Sequence, residues 1–194
     1  MQADYAVELG ADDEALEMPW SACEQGLQYY DLKRHPELLN QIQEAQQVPE
    51  LGGFLAAINS AASSLETAKC EVWFSTDINP EEEIFAAPVK FGCYVDLLFS
   101  EERRRFSLSD HQNLAQNSVD LLRREPEIPA VAEFLIRRCY YLDPSDRTQE
   151  QTSRDGFYIT FYLFGYDSDE ESARRRWAGA LKLAENALLQ LAPG

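Results

Sequence analysis

Residues 156–166 read GFYITFYLFGY, a run with six aromatic rings and no charge or proline. A period of two puts Phe157, Ile159, Phe161 and Leu163 on one face and Tyr158, Thr160, Tyr162, Phe164 and Tyr166 on the other. Aromatic and β-branched residues favour such a pleated surface, and this is the clearest strand in the chain. Just before it, residues 131–142 admit two readings. Val131, Leu135 and Cys139 suit a helix started by Pro129, but residues 134–142 are rich in strand formers, and a strand is the expectation. The polar residues 143–155 then close a hairpin. After the aromatic strand, Asp167 or Ser168 should cap a final helix running to about Leu191, with Asp169, Glu170 and Glu171 at its positive end. Trp177, Ala180, Leu181, Ala184, Ala187, Leu188 and Leu191 give that helix a wide apolar stripe.

The same order occurs earlier. Residues 69–76 alternate, with Cys70, Val72 and Phe74 pointing one way and Glu71, Trp73 and Ser75 the other. A polar connection over 77–88 leads to residues 90–99, where Phe91, Cys93, Val95, Leu97 and Phe99 alternate against Lys90, Gly92, Tyr94, Asp96 and Leu98. These are the two arms of another hairpin. Ser109 with Gln112 forms a capping-box signature for a helix that carries Leu114, Ala115, Ser118, Leu121 and Leu122 inward and stops near Pro126. Residues 69–126 and 137–194 thus read as pseudo-repeats of one strand-strand-helix unit. They echo in Cys70 and Cys139, in Gly92-Cys93-Tyr94 and Gly156-Phe157-Tyr158, and in an acidic-then-basic cluster before an aromatic ring. The spacing between echoes drifts, so chance likeness of two hairpin-helix units stands beside duplication.

Further upstream, Pro36 should start a helix presenting Leu38, Leu39, Ile42 and Ala45, and Pro49 should end it and start another. In the second, Leu51, Phe54, Leu55, Ile58, Ala61, Ala62 and Leu65 keep helical spacing. Residues 5–9 form a short alternating strand, and residues 10–32 read as a long acidic loop pinned by Trp20, Tyr29 and Tyr30. The expected architecture is one α+β domain over 1–194, an antiparallel sheet of about five strands with helices packed mainly on one face. Its parts are an acidic strand and loop over 1–35, a helical pair over 36–66, and the two pseudo-repeats.

At 194 residues the chain buries about 70% of its surface on folding, so it needs no disulfide or metal staple. Lys and Arg number 17 against 34 Asp and Glu, a formal charge of -17 that opposes binding to nucleic acid or anionic membranes. Residues 1–32 hold eight acids and no Lys or Arg, which makes this segment the first candidate for docking a basic protein partner. No apolar run approaches the roughly 20 residues that span a bilayer. Residues 1–9 carry Asp4 and Glu8 where an export signal would be basic and then apolar, so a cytoplasmic protein is expected. Cys23, Cys70, Cys93 and Cys139 form no C-x-x-C pair, and the last three sit in strand-like runs as small buried hydrophobes.

Catalytic signatures are missing. There are only two histidines, His35 before Pro36 and His111 beside Asp110 in a first helical turn, where a solvated or capping role is expected. No G-x-S-x-G turn, phosphate loop, dinucleotide fingerprint, H-E-x-x-H or EF-hand loop occurs. Asp77 with Glu81, Glu82 and Glu83 is read as solvated loop charge, and no cofactor or metal is expected.

Two features point to a site. Arg137 and Arg138 are adjacent in a predicted strand, so one faces each side of the sheet and at least one needs a carboxylate partner or an open cleft. An edge strand or a helix would remove that demand. The second feature is the row Tyr158, Tyr162, Phe164 and Tyr166, which marks a ligand or interface surface if helices cover only the other face, and plain core if the N-terminal segment covers it. A homodimer contact would use the same row.

At the level of architecture, helices followed by strand-strand-helix twice resembles the secretion-chaperone-like folds, which are small, acidic, often dimeric proteins that bind a partner polypeptide. With the missing catalytic motifs, the acidic N-terminal segment and the aromatic strand, the expectation is a non-enzymatic binding or regulatory module. The alternative is a small-molecule-binding or enzymatic domain with a pocket between sheet and C-terminal helix. A duplicated strand-and-helix sheet also resembles bacterial effector-binding domains, in which Arg137 or Arg138 would meet an anionic group.

Overall fold

The structure is a computed structural model and describes residues 1–10, 16–22, 27–142 and 153–194. The aromatic run forms the centre of β8 (Ser153–Asp167), and β8 is the middle strand of its sheet. On one side it pairs antiparallel with β7 (Ala130–Leu142), on the other with β6 (Val89–Phe99), which pairs in turn with β5 (Leu65–Ser75). Both expected hairpins are therefore present, joined through their second strands.

The sheet is not purely antiparallel. β1 (Gln2–Glu8) and β2 (Leu16–Met18) both run parallel to β7, one after the other along its outer edge, making six strands in the order β1-β7-β8-β6-β5 with β2 beside β7. Alternation in residues 5–9 marks a strand but carries no information on its neighbour or direction, which is why the antiparallel expectation failed here. The segment expected as loop over 10–32 also contains the small ribbon β3 (Ser21–Ala22) and β4 (Leu27–Gln28), while Cys23 lies outside the described residues.

The N-terminal helices are shorter than their periodicity implied. Pro36–Gln41 is a 3-10 turn, followed by α1 (Gln43–Gln47) and α2 (Pro49–Ile58). The buried Asn59 stops α2. Its amide donates to Leu55 O (2.8 Å) and Thr67 Oγ1 (2.8 Å), and its Oδ1 accepts from Thr67 N (3.0 Å). These bonds turn the chain into β5 before Ala61, Ala62 and Leu65 can extend the helix. Leu65 is buried all the same, as the first residue of β5.

Caps are also displaced from their expected positions. After α3 (Glu102–Arg105), Ser107 rather than Ser109 caps α4 (Leu108–Leu122) by accepting from Asp110 N. Asp169 rather than Asp167 or Ser168 caps α5 (Glu170–Leu191), because β8 keeps its ladder up to Asp167.

One sheet face is covered by α2, α4 and α5. Phe54 of α2 stacks on Phe161 with centroids 6.0 Å apart, and Phe134 lies 4.9 Å from Phe161 on the neighbouring strand. Trp177 of α5 is fully buried, meets Phe91 edge-on and donates its indole N–H to Cys93 Sγ at 3.3 Å. Gly165 lets α5 come this close, since a Cβ there would lie 2.3 Å from Trp177 N and 2.7 Å from Ala173 O. His111 departs from expectation. It is buried, packed between Phe99 and Phe157, and its Nδ1 bonds Ser107 O at 2.8 Å. Burial holds its pKa below the ordinary value, so it is a neutral core side chain.

Cys93 and Cys139 are buried and Cys70 partly so; all three are free thiols pushed up to about 12 by burial. Among the described residues no helix is long and apolar enough to cross a membrane, and no three His, Cys, Asp or Glu side chains group as metal ligands.

Candidate functional site

Among the described residues, the face of the sheet turned away from the helices is covered only at its two ends. At one end Met18, Trp20 and Tyr29 of the N-terminal segment pack on Leu98, Cys139, Tyr141 and Tyr158. Trp20 is fixed there by its indole N–H to Ala68 O (3.2 Å), with the Lys69 ammonium 4.7 Å above its ring. At the other end the 3-10 turn Pro80–Phe85 folds over the strands. Phe85 stacks on Tyr166 at 4.3 Å, and Glu82 takes Lys90 Nζ (2.7 Å) and the Tyr166 hydroxyl (2.5 Å). Burial works against ionised Glu82, yet these donors hold its carboxyl below the usual range. Glu82 is thus a structural clasp and not the solvated loop charge expected.

This division splits the predicted aromatic row. Tyr158 and Tyr166 are buried beneath the two covers, whereas Tyr162 and Phe164 lie half-exposed between them. Two side chains that sequence reading had not singled out join the open strip. Trp73 stands edge-on to Phe164 at 5.8 Å, and Tyr94 lies 5.9 Å from Tyr162. Gly92 makes room for them, because a Cβ there would meet Phe164 Cδ1 at 2.7 Å and Trp73 Cε2 at 3.3 Å.

Register sets the charge around the strip. Glu71 is level with Tyr94, Tyr94 with Tyr162, Tyr162 with Glu133, and Glu133 with Asp4 of β1. One row across five strands therefore reads acid, tyrosine, tyrosine, acid, acid. Its three acids are exposed, and neither Glu71 nor Glu133 has an ion pair among the described residues.

The arginines separate as adjacency in a strand requires. Arg137 lies on this face, level with Tyr158, and its guanidinium pairs with Glu8 at 3.4 Å. Arg138 is level with Phe157 on the opposite face and pairs with Asp155 at 3.2 Å. β1 ends opposite Arg137 and β2 begins opposite Cys139, so Arg138 sits at a break in the edge pairing. Only Arg137, Tyr158, Tyr162, Phe164 and Tyr166 share a face, and of these only Tyr162 and Phe164 belong to the open strip.

Next to the strip, Asp96 is 4% exposed and accepts from Thr160 Oγ1 at 2.7 Å. Burial raises its pKa to about 6, although the Thr160 hydroxyl and the charges of Lys69 and Arg137 act against the rise. The folded protein holds this proton more tightly than the unfolded chain does. Stability is therefore lost as pH climbs from about 4 through 6, and the full cost of about 2 to 3 kcal/mol is borne above that range. Asp96→Asn should be the more stable protein at pH 7.5, by urea unfolding, with an advantage that shrinks toward pH 4. An advantage independent of pH would contradict a buried, ionised Asp96.

The interface between sheet and α5, expected to hold a pocket under the enzymatic alternative, is filled by Trp177, Ala173, Ala180 and Leu181, each at most 2% exposed. No known protein family matches the chain, and no curated protein or solved structure shows significant similarity to it.

Proposed function

We propose that the protein is a non-enzymatic binding module whose uncovered sheet face receives a cationic, apolar-bearing segment of a partner polypeptide. The observation that carries this reading is the row Glu71, Tyr94, Tyr162, Glu133 and Asp4, with Trp73 and Phe164 one level away. Aromatic faces attract a guanidinium or ammonium by about 0.5 to 2 kcal/mol each, and carboxylates beside them add charge complementarity. The formal charge of -17 draws the same class of partner from a distance and repels polyanions. In this reading the internal likeness of 69–126 and 137–194 is a duplicated hairpin-helix unit, and each copy contributes one tyrosine to the row.

Calorimetric titration with a short peptide alternating arginine and leucine tests the proposal. Binding should be detectable, should weaken about tenfold or more from low to high salt, and should vanish for the matching glutamate-leucine peptide. Equal binding of both peptides, or of neither, would reject it. Tighter self-association than peptide binding would show that this face takes a second copy of the chain instead.

A further inference from the structure

A second site lies under the N-terminal cover, apart from the open strip. Met18, Pro19, Tyr29, Glu66, Arg105 and Tyr141 are among the residues that line a half-open cavity of about 470 Å³. That volume lies within the range of small-molecule pockets, which are mostly apolar with a few convergent polar groups. Met18, Pro19, Leu142 and the two tyrosine rings give the lining its apolar part, and Asp31, Lys33, Arg34, Glu66 and Arg105 its charged part, with the Arg105 guanidinium 5.2 Å from the Tyr141 ring centre.

In the charged part of the lining Arg105 keeps free donors, while each acid has at least one oxygen engaged. Arg105 spends Nε on Phe99 O (2.8 Å) and one Nη on Glu66 (2.8 Å), and no hydrogen bond engages its other Nη among the described residues. Lys33 adds a positive charge, held by the carbonyls of Ser60, Ser63 and Leu65, and Arg34 stands at the rim with 83% of its side chain exposed. Of the two described lining acids, Asp31 accepts from Arg34 N and pairs with the Arg34 guanidinium at 3.6 Å, and Glu66 accepts from Arg105. Burial pushes the Glu66 carboxyl up, against the pull of Arg105. Among the described lining residues three cations face two acids, the reverse of the chain's overall balance.

We infer that this cavity binds a small organic carboxylate, its anion on Arg105 and its apolar body against Met18 and Leu142. Arginine's planar fork suits a carboxylate, and an apolar body excludes inorganic phosphate as the preferred occupant. The inference stands independently of the proposed partner face.

Phenylacetate is the probe, with phenethylamine as its cationic counterpart. The chain has two methionines, so Met18 is readily assigned in a methyl NMR spectrum. Phenylacetate should shift the Met18 methyl signal with a millimolar or tighter Kd, and phenethylamine should not. Arg105→Lys, which keeps the charge but loses the fork, should weaken binding about tenfold. Arg34→Ala, at the exposed rim and harmless to folding, should weaken it about two- to threefold through lost charge. The inference is overturned by an unmoved Met18 signal, by phenethylamine binding as tightly, or by unaltered affinity in Arg34→Ala together with a folded Arg105→Lys.

Discussion

Gly165→Ala is expected to destabilise the protein by about 3 kcal/mol or more. The methyl would lie 2.3 Å from Trp177 N and 2.7 Å from both Ala173 O and Trp177 Cα, all helix backbone or Cα atoms that cannot rotate aside. β8 cannot yield either, because Gly165 is paired with Ala130 on one side and Phe91 on the other. The whole of α5 must lift, which opens the packing of Trp177 against Phe91 and Cys93. Gly179→Ala in the same helix is the control. A Cβ there meets nothing within 4 Å, so the substitution should stabilise by about 0.5 to 1 kcal/mol through helix propensity. Urea unfolding of the two variants should give opposite signs. If both were neutral, α5 would not sit on β8 as described.

The second large effect concerns binding. Combining Glu71→Lys with Glu133→Lys should reduce affinity for the arginine-leucine peptide at least about tenfold and leave the unfolding midpoint nearly unchanged. Both side chains are exposed and neither holds an ion pair among the described residues, so the described fold does not depend on them. Each flanks a tyrosine on its own level of the sheet, Glu71 beside Tyr94 and Glu133 beside Tyr162, so both reversals act on the same row. Reversing Glu101 and Glu102, exposed acids outside this row, alters net charge equally and should weaken binding far less. Equal losses in the two double variants would mean that total charge, and not this face, attracts the peptide.

Much of this was legible in the chain. The alternation in 90–99 and 156–166 sorted those residues into the two faces that they occupy in β6 and β8, and the alternation in 69–76 set Trp73 opposite Cys70, Val72 and Phe74. What it lacked was which strands are neighbours. Only the pairing of β6 with β8 brings Tyr94 beside Tyr162, and only the parallel pairing of β1 brings Asp4 beside Glu133. Residues some 70 to 130 positions apart meet through register, which local periodicity does not encode.

The covers were harder to foresee for a related reason. Tyr158, Tyr162, Phe164 and Tyr166 are equivalent in sequence pattern, yet Tyr158 is packed beneath Met18 and Tyr166 beneath Phe85, both from segments whose sequence carries no periodic apolar pattern. Burial of such residues depends on long-range docking of loops, and the polar appearance of 10–32 and 77–88 concealed it. His111 illustrates the same limit. Its place in a first helical turn implied solvent, but the rings of Phe99 and Phe157 come from distant strands to enclose it. Asn59 is the opposite case, where a signal was present. A polar residue followed by Ser60, Ser63 and Ser64 competes with the helix for backbone hydrogen bonds, and that competition outweighs the apolar spacing of Ala61, Ala62 and Leu65.

The most direct test of the binding face uses the three tryptophan indole N–H signals in a proton-nitrogen NMR spectrum. Trp73 lies in the open strip, Trp20 in the N-terminal cover and Trp177 in the helix-side core. Adding the arginine-leucine peptide should move the Trp73 signal progressively, leave Trp177 in place and shift Trp20 little. Movement of Trp20 alone, or no movement of Trp73 under conditions where calorimetry records binding, would place the contact elsewhere and contradict the assignment of this face.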